Sequence, residues 1–195
     1  MNMTLSRKLG AAAVVAALLA PVGAQAESSF VTGGGVLSTT ASVDFTITIP
    51  KFLSLRVGPA GSGISNITFA PAAAIVGSGT PVGGTGGDAG PGAVTATVIG
   101  NGGSVTLVAN TPGALNNGLA TQTINWNQVT TATSNPSLPA PTLANGASAS
   151  TTVAAVNGVA NQTGTWTYSY ANGVVPAAGT YGGVNANNGR VTYTA

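Results

Sequence analysis

Apolar and polar residues alternate along residues 43–49, which read Val-Asp-Phe-Thr-Ile-Thr-Ile. The four apolar residues of this stretch share one face and the polar residues the other, a period of two that fits a β-strand and not a helix. Pro50 interrupts the pattern, because proline cannot donate a ladder hydrogen bond, and a second strand is predicted over residues 52–57. The chain is therefore expected to form sheet from residue 43 onward.

Further short stretches are rich in β-branched and aromatic residues and predict strands. They cover residues 64–69, 93–99, 104–109, 121–126, 151–156, 163–170 and 190–194. Asn-Gly pairs, which tolerate the positive φ angles of hairpin turns, lie at 101–102, 117–118, 145–146, 157–158, 172–173 and 188–189. The clearest hairpin prediction joins residues 94–99 to 104–108. The pattern indicates an all-β protein, an antiparallel sandwich or barrel of about eight or nine short strands, and the sandwich is the fold that we expect.

Two segments lack strand signals and are predicted to be long surface loops. Half of residues 77–92 are glycine, and residues 134–149 contain three prolines. Either segment could instead link two small domains, but each flank would be too short for an independent core. We therefore expect one domain over residues 27–195.

The first 26 residues have the layout of a secretory signal peptide. Arg7 and Lys8 precede an apolar run over residues 9–22, and Ala-Gln-Ala at 24–26 fits a cleavage site. The apolar run is shorter than the roughly 20 residues that a spanning helix needs, so a membrane anchor is the weaker interpretation. We expect a cleaved signal helix, no transmembrane anchor after processing, and export to the periplasm, cell surface or medium.

Removing this segment changes the charge of the chain. Residues 27–195 contain three basic and three acidic residues, so the processed chain is formally neutral. We do not expect this chain to bind nucleic acid, because recognition of nucleic acid needs clustered Lys and Arg. A neutral, apolar chain instead favours self-association, since no net charge keeps copies apart.

The processed chain lacks the side chains of most catalytic sites. It has no His and no Cys, and its carboxylates, Glu27, Asp44 and Asp88, are far apart in sequence. General acid–base and nucleophilic catalysis both need a tuned base. Residues 83–88 copy part of a calcium-binding nonapeptide, but that architecture needs stacked copies and this chain has one. We expect no catalytic, cofactor or metal site.

Aromatic residues are the remaining candidates for ligand binding. Trp166, Tyr168 and Tyr170 fall on one face of a predicted strand, and Trp126 lies in another. A buried core face is the favoured interpretation for the row of Trp166, Tyr168 and Tyr170, because such residues are mostly buried, whereas for Trp126 both interpretations stay open. Exposed on the surface, Trp126 and Trp166 would instead form a platform for stacking sugar rings.

The alternating strand at 43–49 and the C-terminal end of the chain together resemble the Ig-like subunits of bacterial fimbriae and related adhesins. Gly182 is fourteenth from the C-terminus, as in chaperone-assembled pilins, whereas Tyr193 is third from last rather than next to last, and the disulfide of many pilins is missing. The resemblance implies an Ig-like sandwich that assembles by strand addition with help from a periplasmic chaperone.

Strand addition requires a donor and an acceptor. The candidate donor arm is residues 27–41, around Phe30 and Val36, and the candidate acceptor edge includes Gly182 and a final strand with Val191, Tyr193 and Ala195 on one face. The first functional hypothesis is therefore a non-enzymatic surface protein, a fimbrial subunit that associates with itself or with other surface subunits. The alternative is a monomeric carbohydrate-binding or adhesion module that uses exposed aromatics.

Overall fold

A computed structural model describes residues 29–195, so the predicted signal peptide and Glu27 lie outside the described residues. The chain divides into two units, one ending at Ile49 and one spanning Pro50–Ala195. Residues 29–49 form no strand, and all of their side chains are exposed. The strand predicted at 43–49 is therefore wrong, and the strands described below all lie in the unit Pro50–Ala195.

In the unit Pro50–Ala195 the strands pair antiparallel and helix is almost absent, which confirms the all-β prediction. In this unit the strands are β1 Leu53–Val57, β2 Ile67–Thr68, β3 Val82–Gly83, β4 Thr85–Gly86, β5 Ala93–Gly100, β6 Val105–Asn110, β7 Leu115–Asn116, β8 Thr123–Ile124, β9 Val129–Thr133, β10 Thr151–Val153, β11 Ala160–Tyr170 and β12 Thr192–Thr194. Two single-turn 3₁₀ helices, Ala73–Ile75 and Trp126–Gln128, complete it. No helix in residues 29–195 has the length and apolarity that crossing a bilayer requires.

Strand β5 lies at the centre of the larger, five-stranded sheet. It pairs with β1 on one side and with β11 on the other, so that Gly100 lies between Leu53 and Ala160. The long strand β11 also pairs with β3 and, along its other edge, with β9. Alternate residues of β5 are buried, as its sequence pattern predicts.

The smaller sheet has the order β10-β6-β12. Because β5 and β6 belong to different sheets, the predicted hairpin between them is wrong. The hairpin does not form because β1 and β11 already occupy both edges of β5, so the chain crosses to the second sheet after Gly100. A hairpin turn forms instead at Asn157-Gly158, where both residues have positive φ and Val156 and Val159 exchange hydrogen bonds of 2.9 and 3.0 Å.

One apolar core receives side chains from both sheets. β5 contributes Val98, β6 contributes Leu107 and β11 contributes Trp166, all fully buried. Residues 134–149 also enter this core through Leu138 and Leu143, so the predicted surface loop is partly interior. The other predicted loop, residues 77–92, contains the short strands β3 and β4.

Candidate functional site

An open groove of about 910 Å³ lies on the unit Pro50–Ala195, and its lining is mainly apolar. The end of β1 and the segment around β2 contribute Val57, Ile67 and Phe69 to the lining. The C-terminal stretch contributes Val191 and Tyr193, which form the C-terminal bank of the groove. These five residues are only partly buried and pack against the core, so each presents apolar surface to the groove.

Tyrosine side chains of the core support the C-terminal bank. The Tyr193 ring lies against the Trp166 indole, with 5.2 Å between ring centroids and a tilt of 50°. Its hydroxyl shares a 2.8 Å hydrogen bond with the hydroxyl of Tyr168. Aromatic packing and a hydrogen bond therefore hold the Tyr193 side chain in place, and it forms a fixed part of the groove lining.

The sheet edge beside this wall is open. β12 pairs with β6 through Thr192↔Asn110, Tyr193↔Ala109 and Thr194↔Val108. In the part of the chain that the structure describes, no strand pairs with the opposite side of β12. An unpaired strand edge presents N–H and C=O groups to a further strand. The groove thus combines apolar walls with a hydrogen-bonding edge.

The predicted acceptor residues lie in two different places in the structure. Gly182, Val191 and Tyr193 line the groove, whereas Ala195 lies in a separate small cavity near Lys51 and Phe52. Gly182 is a turn residue with φ of 76°, and a Cβ atom there would approach Leu115 Cδ2 to 2.8 Å. Its amide donates to the Asn116 carbonyl at 2.9 Å. Gly182 therefore shapes the wall of the groove, whereas Ala195 lies outside the lining of the groove.

The N-terminal unit contains an apolar surface of its own. Along residues 43–49, the four apolar side chains are largely exposed: Val43 by 72%, Phe45 by 87%, Ile47 by 85% and Ile49 by 75%. The predicted donor residues Phe30 and Val36 are also exposed, by 90% and 104%. A soluble chain does not usually leave such a row of large apolar side chains uncovered.

Both candidate sugar-stacking residues are buried. Trp126 is 6% exposed and Trp166 is 0% exposed. Their indole N–H groups donate to the carbonyls of Gly113 at 2.9 Å and Leu138 at 3.1 Å. The core interpretation is confirmed for these residues, and neither offers its ring face to a sugar in solvent.

Asp88 has a structural role in its loop. Its Oδ1 accepts hydrogen bonds from the Thr95 amide at 3.1 Å and the Ser65 hydroxyl at 3.4 Å. Burial raises the pKa of Asp88, but these hydrogen bonds outweigh it and hold the pKa of the carboxyl below its usual value. Residues 29–195 contain no group of three or more His, Cys, Asp or Glu side chains placed to share a metal ion.

The Tyr168–Tyr193 pair predicts a loss of stability in alkali. Burial raises the pKa of Tyr168 from 10.0 to about 12, although its hydrogen bond with Tyr193 opposes the shift, and burial with the neighbouring Tyr168 raises the pKa of Tyr193 further. Below pH 10 neither state ionises, so stability is retained. Between pH of about 10 and 12 only the unfolded chain releases the Tyr168 proton, and the free energy of unfolding falls by roughly 2–3 kcal/mol.

Chemical denaturation at a series of alkaline pH values, with tyrosinate absorbance as a second signal, measures this effect. The double variant Tyr168→Phe/Tyr193→Phe is the control, because it should remove most of the dependence on pH. Ionisation of Tyr168 and Tyr193 near pH 10, with the protein still folded, would contradict the buried pair.

Of the residues that line the groove, the sequence alone predicts only those of the C-terminal stretch. Ile67, Phe69 and Leu115 contribute to the groove from distant parts of the chain, and no local pattern marks them as neighbours of Tyr193. The alternation at 43–49 was the one signal of the exposed apolar row. In comparisons with protein-family models, curated proteins and solved structures, nothing matches this chain.

Proposed function

We propose that this protein is a non-enzymatic structural subunit of a bacterial surface assembly, and that its subunits join by strand addition. The observation that carries the proposal is the apolar groove beside the open edge of β12. In strand addition, backbone hydrogen bonds to an open edge supply affinity, and alternate side chains fill pockets and supply specificity. The groove offers both kinds of contact at one place.

The arrangement of the two main sheets supports an Ig-like sandwich as the framework. β5 of the larger sheet and β6 of the smaller sheet direct alternate residues into the same core. In a sandwich, the inner faces of two sheets interdigitate in this way. An incomplete sandwich with an open edge would account for the groove, since one missing strand exposes the interior beside it.

Apolar burial supplies a large part of the free energy that assembly needs. Burial of one Val, Ile or Phe side chain contributes roughly 1.5–3 kcal/mol. Three or four such side chains would contribute about 4.5–12 kcal/mol, which is comparable to an association cost of about 4–15 kcal/mol, so the edge hydrogen bonds and the fit of the groove decide the balance. We therefore expect assembly that depends strongly on the fit of the added strand.

The proposed location follows from the N-terminal sequence. The signal-like residues 1–26 support export, and a processed chain without cysteine does not depend on the redox state outside the cell. A periplasmic chaperone that covers the groove before assembly fits this route. A neutral processed chain has little electrostatic repulsion between subunits, which favours close packing in an assembly.

The test is the size of the exported protein. The full chain should be expressed with its own leader, and the processed protein purified from the cell envelope without denaturant. Light scattering after size exclusion, over a range of concentrations, should show multimers, and electron microscopy should show linear assemblies. A protein that is monomeric at every concentration, and monomeric at the native cell surface, would contradict the proposal.

A further inference from the structure

We propose that the strand that fills the groove is residues 43–49 of a second copy of this chain. The inference rests on the proposed function and makes it specific, because it names the donor segment and the partner. It also replaces the donor arm expected at residues 27–41. The evidence is the match between two surfaces that each lack a counterpart in residues 29–195.

The first surface is the segment itself. In an extended conformation Val43, Phe45, Ile47 and Ile49 would share one face, and all four are largely exposed. Residues 43–49 have no strand partner in the described chain. They therefore have the alternation of apolar and polar side chains that a strand needs, and their backbone groups pair with no other strand.

The second surface is the groove with the free side of β12. Around β12, Val191 and Tyr193 are half-buried and line the groove, whereas Thr192 and Thr194 are exposed. The sequence of residues 43–49 alternates in the same way, with apolar side chains on one face of the strand and Thr46 and Thr48 on the other. A strand placed beside β12 would cover its apolar face and leave its threonines in a common polar surface.

Length and chemistry favour residues 43–49 over residues 27–41. A seven-residue strand spans roughly 23 Å at 3.3 Å per residue, enough to follow a sheet edge. In contrast, Phe30 and Val36 are separated by three consecutive glycines at 33–35. Glycine weakens a strand and offers no side chain to a pocket. The earlier arm therefore lacks the row of anchors that the groove can accept.

The junction after the segment is held in place. Asn101 donates from Nδ2 to the Pro50 carbonyl at 2.8 Å, and its Oδ1 accepts from the Phe52 amide at 2.8 Å. Pro50 itself has no N–H for a ladder. The two hydrogen bonds fix the start of the folded unit, and the proline ends the donor strand. Residues 43–49 thus form a tethered segment of defined length that another molecule can bind.

Charged substitutions on the two faces of the segment provide a matched test. The variant Phe45→Asp/Ile47→Asp should weaken association of the full processed chain by about a hundredfold or more, because two groove anchors become charged. The control Thr46→Asp/Thr48→Asp places the same charges on the same segment but on the outward face, and it should assemble within a few-fold of the original chain. Because all four positions are exposed in the monomer, both variants should fold, which circular dichroism checks.

Cysteine cross-linking identifies the binding site directly, because the chain contains no cysteine. One copy carries Ile47→Cys, and a second, size-tagged copy carries Val191→Cys. In a separate pair, the second copy carries Ile67→Cys, which lies in the groove lining contributed by the segment around β2. Mild oxidation should join the two differently sized copies. Thr46→Cys, whose side chain faces outward, should cross-link at least about tenfold less to either position.

The outcomes separate this inference from the proposed function. Failure of the unmodified protein to assemble would contradict both. Normal assembly of Phe45→Asp/Ile47→Asp, or equal cross-linking through positions 46 and 47, would overturn the donor assignment and leave strand addition by another segment. Cross-linking confined to positions within one copy would also overturn it, because the segment would then close its own groove.

Discussion

Replacement of Trp166 by alanine is expected to lower the free energy of unfolding by about 3–5 kcal/mol. Trp166 is the largest of the fully buried side chains in the described chain. It lies in the central part of β11, where it pairs with Val94 of β5 on one side and Thr133 of β9 on the other. Its removal would leave a cavity under Tyr193, and the C-terminal bank of the groove would lose its support.

Urea or guanidinium denaturation of the purified protein measures this effect, and Trp166→Phe is the control. Phenylalanine retains an aromatic ring but loses the hydrogen bond to the Leu138 carbonyl. That carbonyl also accepts from the Thr133 hydroxyl at 3.0 Å, so the lost hydrogen bond should cost only about 1 kcal/mol. A change below about 1 kcal/mol for Trp166→Ala would mean that the core around β11 is not packed as described.

Replacement of Asn172 by alanine should destabilise the protein by a similar amount, about 3–5 kcal/mol, for a different reason. Its side chain is fully buried and forms three hydrogen bonds to backbone groups. Oδ1 accepts from the Gly77 amide at 3.0 Å, and Nδ2 donates to the carbonyls of Ile75 at 2.6 Å and Thr80 at 3.3 Å. Alanine would leave buried polar groups without partners and would remain in a conformation with φ of 55°.

Two controls separate the causes. Asn172→Gly loses the same hydrogen bonds but tolerates positive φ, so it should be more stable than Asn172→Ala by about 1 kcal/mol. Asn157→Ala changes another asparagine with positive φ, at 51°, in the exposed hairpin turn, and should cost only about 1 kcal/mol. If Asn172→Ala cost no more than Asn157→Ala, the hydrogen bonds to residues 75–80 would not be important for stability.

Several strands could be predicted because their sequence pattern and their environment agree. β5, β6 and β11 have alternating burial, and each was expected within a few residues of its observed bounds. The segment 121–126 is less regular, since only Thr123–Ile124 forms a strand before the 3₁₀ helix at Trp126–Gln128. Alternation therefore identified the long buried strands better than the short peripheral ones.

The failure at residues 43–49 has a clear physical basis. Period-two alternation shows that a segment can form a two-faced strand, but it does not show that a sheet edge is free to receive it. In the described chain this segment has the pattern without the partner. The error is therefore informative, because the same property that predicted a strand makes the segment a candidate donor to another molecule.

The hairpin predicted between β5 and β6 does not form because strands that are distant in sequence pair with β5 instead. The turn residues 100–103 favour a hairpin locally, yet β1 and β11 occupy both edges of β5. Likewise, the groove joins Val191 and Tyr193 to Ile67 and Phe69, which are more than a hundred residues away in the sequence. Such contacts depend on sheet order, and a local sequence pattern does not encode sheet order.

The position of β5 between β1 and β11 also bears on how quickly the chain can fold. Each of these pairings closes a long stretch of intervening chain, and β12 must return to β6 from the far C-terminal end. Topologies dominated by such remote pairings fold slowly, because closure entropy is lost before the contacts form. During that delay the apolar strands of a newly synthesised chain are exposed to aggregation, and the C-terminal bank of the groove forms only once β12 has paired with β6.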